Sequence, residues 1–158
     1  IAQETGVAII TGESVVKLNE NTLTQDEAKK LVQNQDLVLL TTYNLKDTPT
    51  NAQLIIDAAN QLKTPIVVIS SRNPYDIAYL NNVNANIAIY GITGFDITNN
   101  NRNSLETNIR SGLRTLFANT HGQPLNPPQG LLPVNIKNSQ GNKVLFPYGH
   151  GETYSTIN

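Results

Sequence analysis

The stretch that decides the fold is Ile66-Val67-Val68-Ile69-Ser70-Ser71. Its four consecutive β-branched apolar residues are typical of a strand that is buried on both faces of a parallel sheet. A helix is predicted before this strand, because Pro49 suits a first helical position and apolar residues recur at a spacing of three or four up to Leu62. A buried strand that directly follows such a helix indicates an α/β fold.

Strands and helices alternate on both sides of this unit. The predicted strands are Val15–Leu18, Leu37–Thr42, Ile66–Ser71 and Ile87–Tyr90, followed by short extended pieces at Leu132–Ile136 and Lys143–Phe146. The predicted helices begin at Thr24, at Thr48-Pro49 and at Ser104, and a short helix or turn covers Pro74–Leu80. This order predicts one α/β domain over residues 1–158, a three-layer sandwich in which helices cover both faces of a mostly parallel sheet.

The composition excludes several classes of function. Charged residues make up 15% of the chain and the net charge is −1, so no basic surplus is present for nucleic acid or for an anionic membrane. The absence of cysteine excludes disulfide scaffolds, thiolate metal sites and cysteine nucleophiles. Polarity is carried by amide and hydroxyl side chains instead, and 22 of the 158 residues are asparagine. No apolar run approaches the roughly 20 residues that span a bilayer.

The densest polar cluster is Ser70-Ser71-Arg72-Asn73-Pro74-Tyr75-Asp76, which follows the central strand directly. In parallel sheets, ligands bind outside the carboxyl ends of the strands, where this segment is expected to lie. The Arg72 guanidinium and the Asp76 carboxylate are close enough in sequence to form an ion pair. Two interpretations stay open: a structural pair that fixes the turn, or a strand-end loop that lines or braces a ligand site.

Other candidate motifs are weak. His121 and His150 show no metal-ligand spacing, which favours roles in loop packing. Gly91-x-x-Gly94 follows a predicted strand, but the next helix starts too late for a phosphate-binding loop and no lysine follows. The carboxylates Asp47, Asp76, Asp96 and Glu106 show no spacing that indicates a glycosidase pair.

Residues Ile66 to Gly91 resemble a family signature. They are similar to the C-terminal α/β domain of two-domain β-N-acetylhexosaminidases in glycoside hydrolase family 3. The signature matches at Ser70, Arg72, Asn73, Pro74, Tyr75, Asp76, Tyr90 and Gly91. Further similarity is found in a strand from Leu37 to Tyr43, in Leu116-Phe117, in the strand from Gly130 to Ile136, and in Phe146-Pro147-Tyr148-Gly149-His150-Gly151. The resemblance spans about three quarters of the chain, from Asp36 to Gly151.

This resemblance implies a parent enzyme with an N-terminal TIM barrel. In the family, the barrel carries an aspartate nucleophile and an aspartate–histidine acid/base pair, and the enzyme hydrolyses terminal β-linked N-acetylglucosamine with retention of configuration. No segment of this chain resembles those barrel motifs. We therefore expect no catalytic residue, metal or cofactor here, and the chain alone is expected to be inactive.

The implied role is that of an accessory domain which packs on the barrel and braces the rim of its sugar site. The residues implied in substrate-rim or interdomain contact are Arg72, Asn73, Tyr75, Asp76 and Tyr90. The partners implied are the barrel and, through the parent enzyme, glycans that contain N-acetylglucosamine. Neither nucleic acid nor a membrane span is expected.

Two alternatives use the same fold differently. An independent glycan- or protein-binding module would need an exposed aromatic platform, and only 6% of the residues are aromatic. A nucleotide-binding, flavodoxin-like domain would need the phosphate loop that is missing here.

The location follows from the resemblance. An extracellular or cell-wall-associated protein of the Gram-positive type is expected, although a cytoplasmic location stays open. The chain contains no methionine, so we expect it to be a processed product or a domain of a longer protein.

Overall fold

A computed structural model describes residues 23–42, 45, 50–70, 74–89, 99–117 and 130–151. The helices are α1 (Gln25–Val32), α2 (Thr50–Leu62), a 3₁₀ helix (Pro74–Ala78) and α3 (Asn99–Leu116). The strands are β1 (Val38–Thr42), β2 (Ile66–Ser70), β3 (Ala85–Ala88), β4 (Ile136–Lys137) and β5 (Val144–Phe146). The predicted strand Val15–Leu18 lies outside the described residues.

A parallel sheet forms the centre of the domain, with the strand order β1-β2-β3. The register places Leu40 beside Val68 and Val68 beside Asn86. All five residues of β2 are buried, as the apolar run predicts for a central strand. The α/β architecture with a mostly parallel sheet is confirmed.

Helices α1 and α2 cover one face of this sheet. Leu40 and Val68 share a buried cluster with Ile56 and Ala59 of α2 and Ala28 of α1. Successive side chains of a strand point to opposite faces, so Ile69 and its register neighbour Ile87 lie on the other face.

Helix α3 covers that second face. A Cβ atom added to Gly112 of α3 would lie 3.1 Å from Cγ2 of Ile87 and 3.2 Å from Cδ1 of Ile89. The helix backbone therefore approaches β3 closely, which a larger residue at position 112 would hinder. Helices thus lie on both faces, and the three-layer arrangement is confirmed.

The short strands β4 and β5 form a separate antiparallel ribbon. Ile136 pairs with Phe146, and a bulge shifts the register between Ile136 and Lys137. Ile136 is fully buried, and β4 packs against the 3₁₀ helix. The ribbon thus covers one side of the segment that follows β2.

Three predicted elements differ from the structure. A buried strand is predicted at Ile87–Tyr90, but β3 begins two residues earlier, at Ala85, and only Ile87 of its residues is partly buried. The apolar run Leu37–Thr42 predicts a strand buried on both faces, but Leu39 is 39% exposed, so only the face of β1 that is covered by α1 and α2 is buried. Helix α3 begins at Asn99 rather than at Ser104, because helix propagation adds one hydrogen bond per residue and so extends through asparagines of modest propensity.

Within the part of the chain that the structure describes, no helix is both long and apolar enough to cross a membrane.

Candidate functional site at the carboxyl edge of the sheet

Two buried hydroxyl side chains end the first two strands. Thr42 is the last residue of β1 and Ser70 the last of β2, and the register places them side by side. Their side chains are 4% and 0% exposed. By alternation both lie on the face of Leu40 and Val68, directly above the apolar core under α1 and α2.

Asp76 joins the loops that follow these two strands. The 3₁₀ helix begins at Pro74, four positions after the last residue of β2, and Asp76 within it is 1% exposed. Asp76 Oδ1 accepts a hydrogen bond of 2.9 Å from the Leu45 N–H, 31 residues away in the chain. Bonds between a carboxylate and a backbone N–H are among the stronger ones in proteins, so Asp76 anchors the segment after β1 to the segment after β2.

The amino ends of α1 and α2 lie at the same edge. Helix α2 follows β1, so it starts where β1 ends and runs back along the sheet. The Leu23 N–H at the start of α1 donates to Asn51 Oδ1 in the first turn of α2, with a distance of 2.9 Å. Each helix N-terminus carries partial positive charge, so this edge combines two positive helix ends with the buried carboxyl group of Asp76.

The start of α1 is closed by a capping box, as predicted. The Thr24 N–H donates to Glu27 Oε2 at 2.8 Å, and the Glu27 N–H donates to Thr24 Oγ1 at 3.3 Å. The hydrogen bond from the Thr24 backbone lowers the pKa of the Glu27 carboxyl group, and the Thr24 hydroxyl adds to this effect. Two N–H groups of this helix end, those of Thr24 and Glu27, are therefore satisfied by its own side chains.

Ser70 ends β2 with a hydroxyl group at this edge. Its Oγ is buried and makes no hydrogen bond to any group in the described ranges. Buried hydroxyl groups nearly always have a partner, so an orphan of this kind calls for a specific explanation.

The structure brings together part of the predicted site. Asp76 points inward and is buried, whereas its neighbour Tyr75 is 46% exposed. Arg72, Asn73 and Tyr90 lie outside the described residues, and the Arg72–Asp76 ion pair therefore stays a prediction.

Sequence reasoning missed the partners of Asp76. It selected the segments after the strands but did not link Leu45 to Asp76 or Thr42 to Ser70. The available signal was the hydroxyl residue that ends each of two apolar runs, at Thr42 and Ser70.

No metal centre is found in the described part of the chain, where no group of three histidine, cysteine, aspartate or glutamate side chains is suitably placed. The His150 ring instead packs on Phe146, with ring centroids 5.2 Å apart. This contact agrees with the loop-packing role that its sequence context favours, while His121 lies outside the described residues.

The chain matches no protein-family model, no curated protein and no solved structure. The resemblance to glycoside hydrolase family 3 therefore depends on the motif residues themselves.

Proposed function

We propose that the chain is the non-catalytic C-terminal domain of a β-N-acetylhexosaminidase of glycoside hydrolase family 3. In this role its carboxyl edge packs on a catalytic TIM barrel and braces the rim of the sugar site. The barrel supplies the aspartate nucleophile and the acid/base pair, and the hydrolysis retains configuration. The parent enzyme is proposed to act outside the cell or at the cell wall.

The observation that carries this proposal is the placement of two residues of the motif, Asp76 and Tyr75. Asp76 is buried and holds Leu45 of the neighbouring strand-end segment. The adjacent Tyr75 is 46% exposed, so part of its side chain lies on the surface. Asp76 thus holds two strand-end segments together, while Tyr75 places part of its side chain on the surface. A contact that braces a second domain requires both features.

The polar character of this edge also supports the proposal. Interfaces between domains of one chain are more polar than permanent interfaces between subunits. Hydroxyl, carboxylate and phenol groups are concentrated at the ends of β1 and β2 and in the 3₁₀ helix. Such groups can hydrogen-bond both to a second domain and to a sugar.

An independent glycan- or protein-binding module is the second candidate, and exposed aromatic residues favour it. Tyr148 is 73% exposed at the centre of a turn in which the His150 N–H donates to the Pro147 carbonyl at 3.0 Å. Gly149 supplies the positive φ of 80° that the turn needs. Leu131 is 66% exposed in the segment that pairs with this turn.

The test of the main proposal is a hydrolysis assay with p-nitrophenyl β-N-acetylglucosaminide. The purified 158-residue chain is compared with the complete protein encoded by its gene. We expect p-nitrophenol release from the complete protein and none from the chain alone. Release by the chain alone would contradict the non-catalytic role, and release by neither would contradict the assignment to a hexosaminidase.

A matched pair of variants tests the bracing role in the complete protein. Tyr75→Ala removes the exposed side chain of the motif, and Tyr79→Phe alters a nearby tyrosine while it keeps the ring. We expect Tyr75→Ala to lower kcat/KM about tenfold, which corresponds to ~1.4 kcal/mol of transition-state stabilisation. Tyr79→Phe is expected to leave kcat/KM unchanged. Equal activity of both variants would contradict a bracing contact through Tyr75.

A further inference from the structure

We draw no further inference here: the strongest candidate, the surface patch of exposed apolar side chains that Leu131, Val144, Leu145 and Tyr148 present on and beside the β4–β5 ribbon, carries nothing, because no observation on the described residues shows what covers it.

Discussion

The two edges of the parallel sheet carry different polar groups, side-chain amides at the amino edge and hydroxyl and carboxyl groups at the carboxyl edge. At the amino edge, the Ile66 N–H donates to Asn84 Oδ1 at 2.8 Å, and the Asn84 N–H donates back to the Ile66 carbonyl at 3.0 Å. Nearby, Asn60 Nδ2 donates to the Asn82 carbonyl at 2.8 Å, which joins α2 to the β2–β3 connection. At the carboxyl edge, the Ser70 hydroxyl makes no such bond to any described group.

The asparagine amides and the Ser70 hydroxyl therefore contribute differently to the fold. At the amino edge, the Asn60 amide joins α2 to the β2–β3 connection, and the Asn84 amide joins that connection to the start of β2. The Ser70 hydroxyl joins no two segments among the described residues, because it makes no hydrogen bond to any of them. Hydrogen bonds therefore stabilise both edges, through Asn84 at the amino edge and Asp76 at the carboxyl edge, and only the Ser70 hydroxyl is expected to cost stability rather than to add to it.

The largest effect is expected at Asp76, which joins the segments after β1 and β2 through the Leu45 N–H. Asp76→Ala leaves the Leu45 N–H without its acceptor, so we expect the free energy of unfolding to fall by about 2 kcal/mol. Urea unfolding followed by circular dichroism measures this change. Asp36→Ala, at an exposed position, is the control and should change stability by less than about 0.5 kcal/mol. Equal losses in the two variants would show that Asp76 does not hold the edge.

A somewhat smaller loss is expected at the amino edge. Asn84→Ala removes the acceptor of the Ile66 N–H, and Ile66 is fully buried, so we expect a loss of about 1.5 kcal/mol in the same unfolding assay. Asn86→Ala, two residues away at an exposed position of β3, is the matched control and should have little effect. If Asn86→Ala were as destabilising as Asn84→Ala, the amino edge would not owe its stability to this hydrogen bond.

A pH-dependent effect is expected at the capping box of α1. The pKa of Glu27 lies below its ordinary value of 4.5 because the Thr24 N–H bonds to its carboxylate. Its stabilising contribution is therefore fully present above pH 4.5 and is lost as the pH falls through the folded-state pKa. The effect is expected to be small, because the carboxylate is exposed to solvent.

The variant Glu27→Gln isolates this contribution. We expect the difference in unfolding free energy between the original chain and Glu27→Gln to be constant above pH 4.5 and to shrink below it. Thermal unfolding at a series of pH values measures the difference. A difference that stays the same well below pH 4.5 would mean that the charge of Glu27 does not stabilise the start of α1.

Much of the fold could be predicted from local patterns. The apolar run Ile66–Ile69 identified the central strand, and the spacing Thr24-x-x-Glu27 identified the start of α1, because both patterns act within one element. The predictions were wrong where the packing of neighbouring elements decides how long or how buried a strand is. The exposed side of Leu39 and the early start of β3 depend on which elements cover β1 and β3, and no local pattern contains that information.

The candidate site was predictable only in part. Sequence reasoning located Asp76 after the central strand, because loops that follow parallel strands gather at one edge. It could not identify the Leu45 N–H as the partner of Asp76, since the two residues are 31 positions apart and the contact involves a backbone group. Nor could it show that Ser70 is buried without a hydrogen bond to any described residue, because that depends on every neighbour in space.

The most direct test of the contrast between the two edges is the stability of Ser70→Ala, measured by urea unfolding without ligand. Because the Ser70 hydroxyl is buried and unsatisfied by the described residues, its removal is expected to leave the free energy of unfolding unchanged or to raise it by up to ~1 kcal/mol. A fall of more than about 1 kcal/mol would show that the hydroxyl makes a stabilising bond, and it would contradict the account of the carboxyl edge as the functional one.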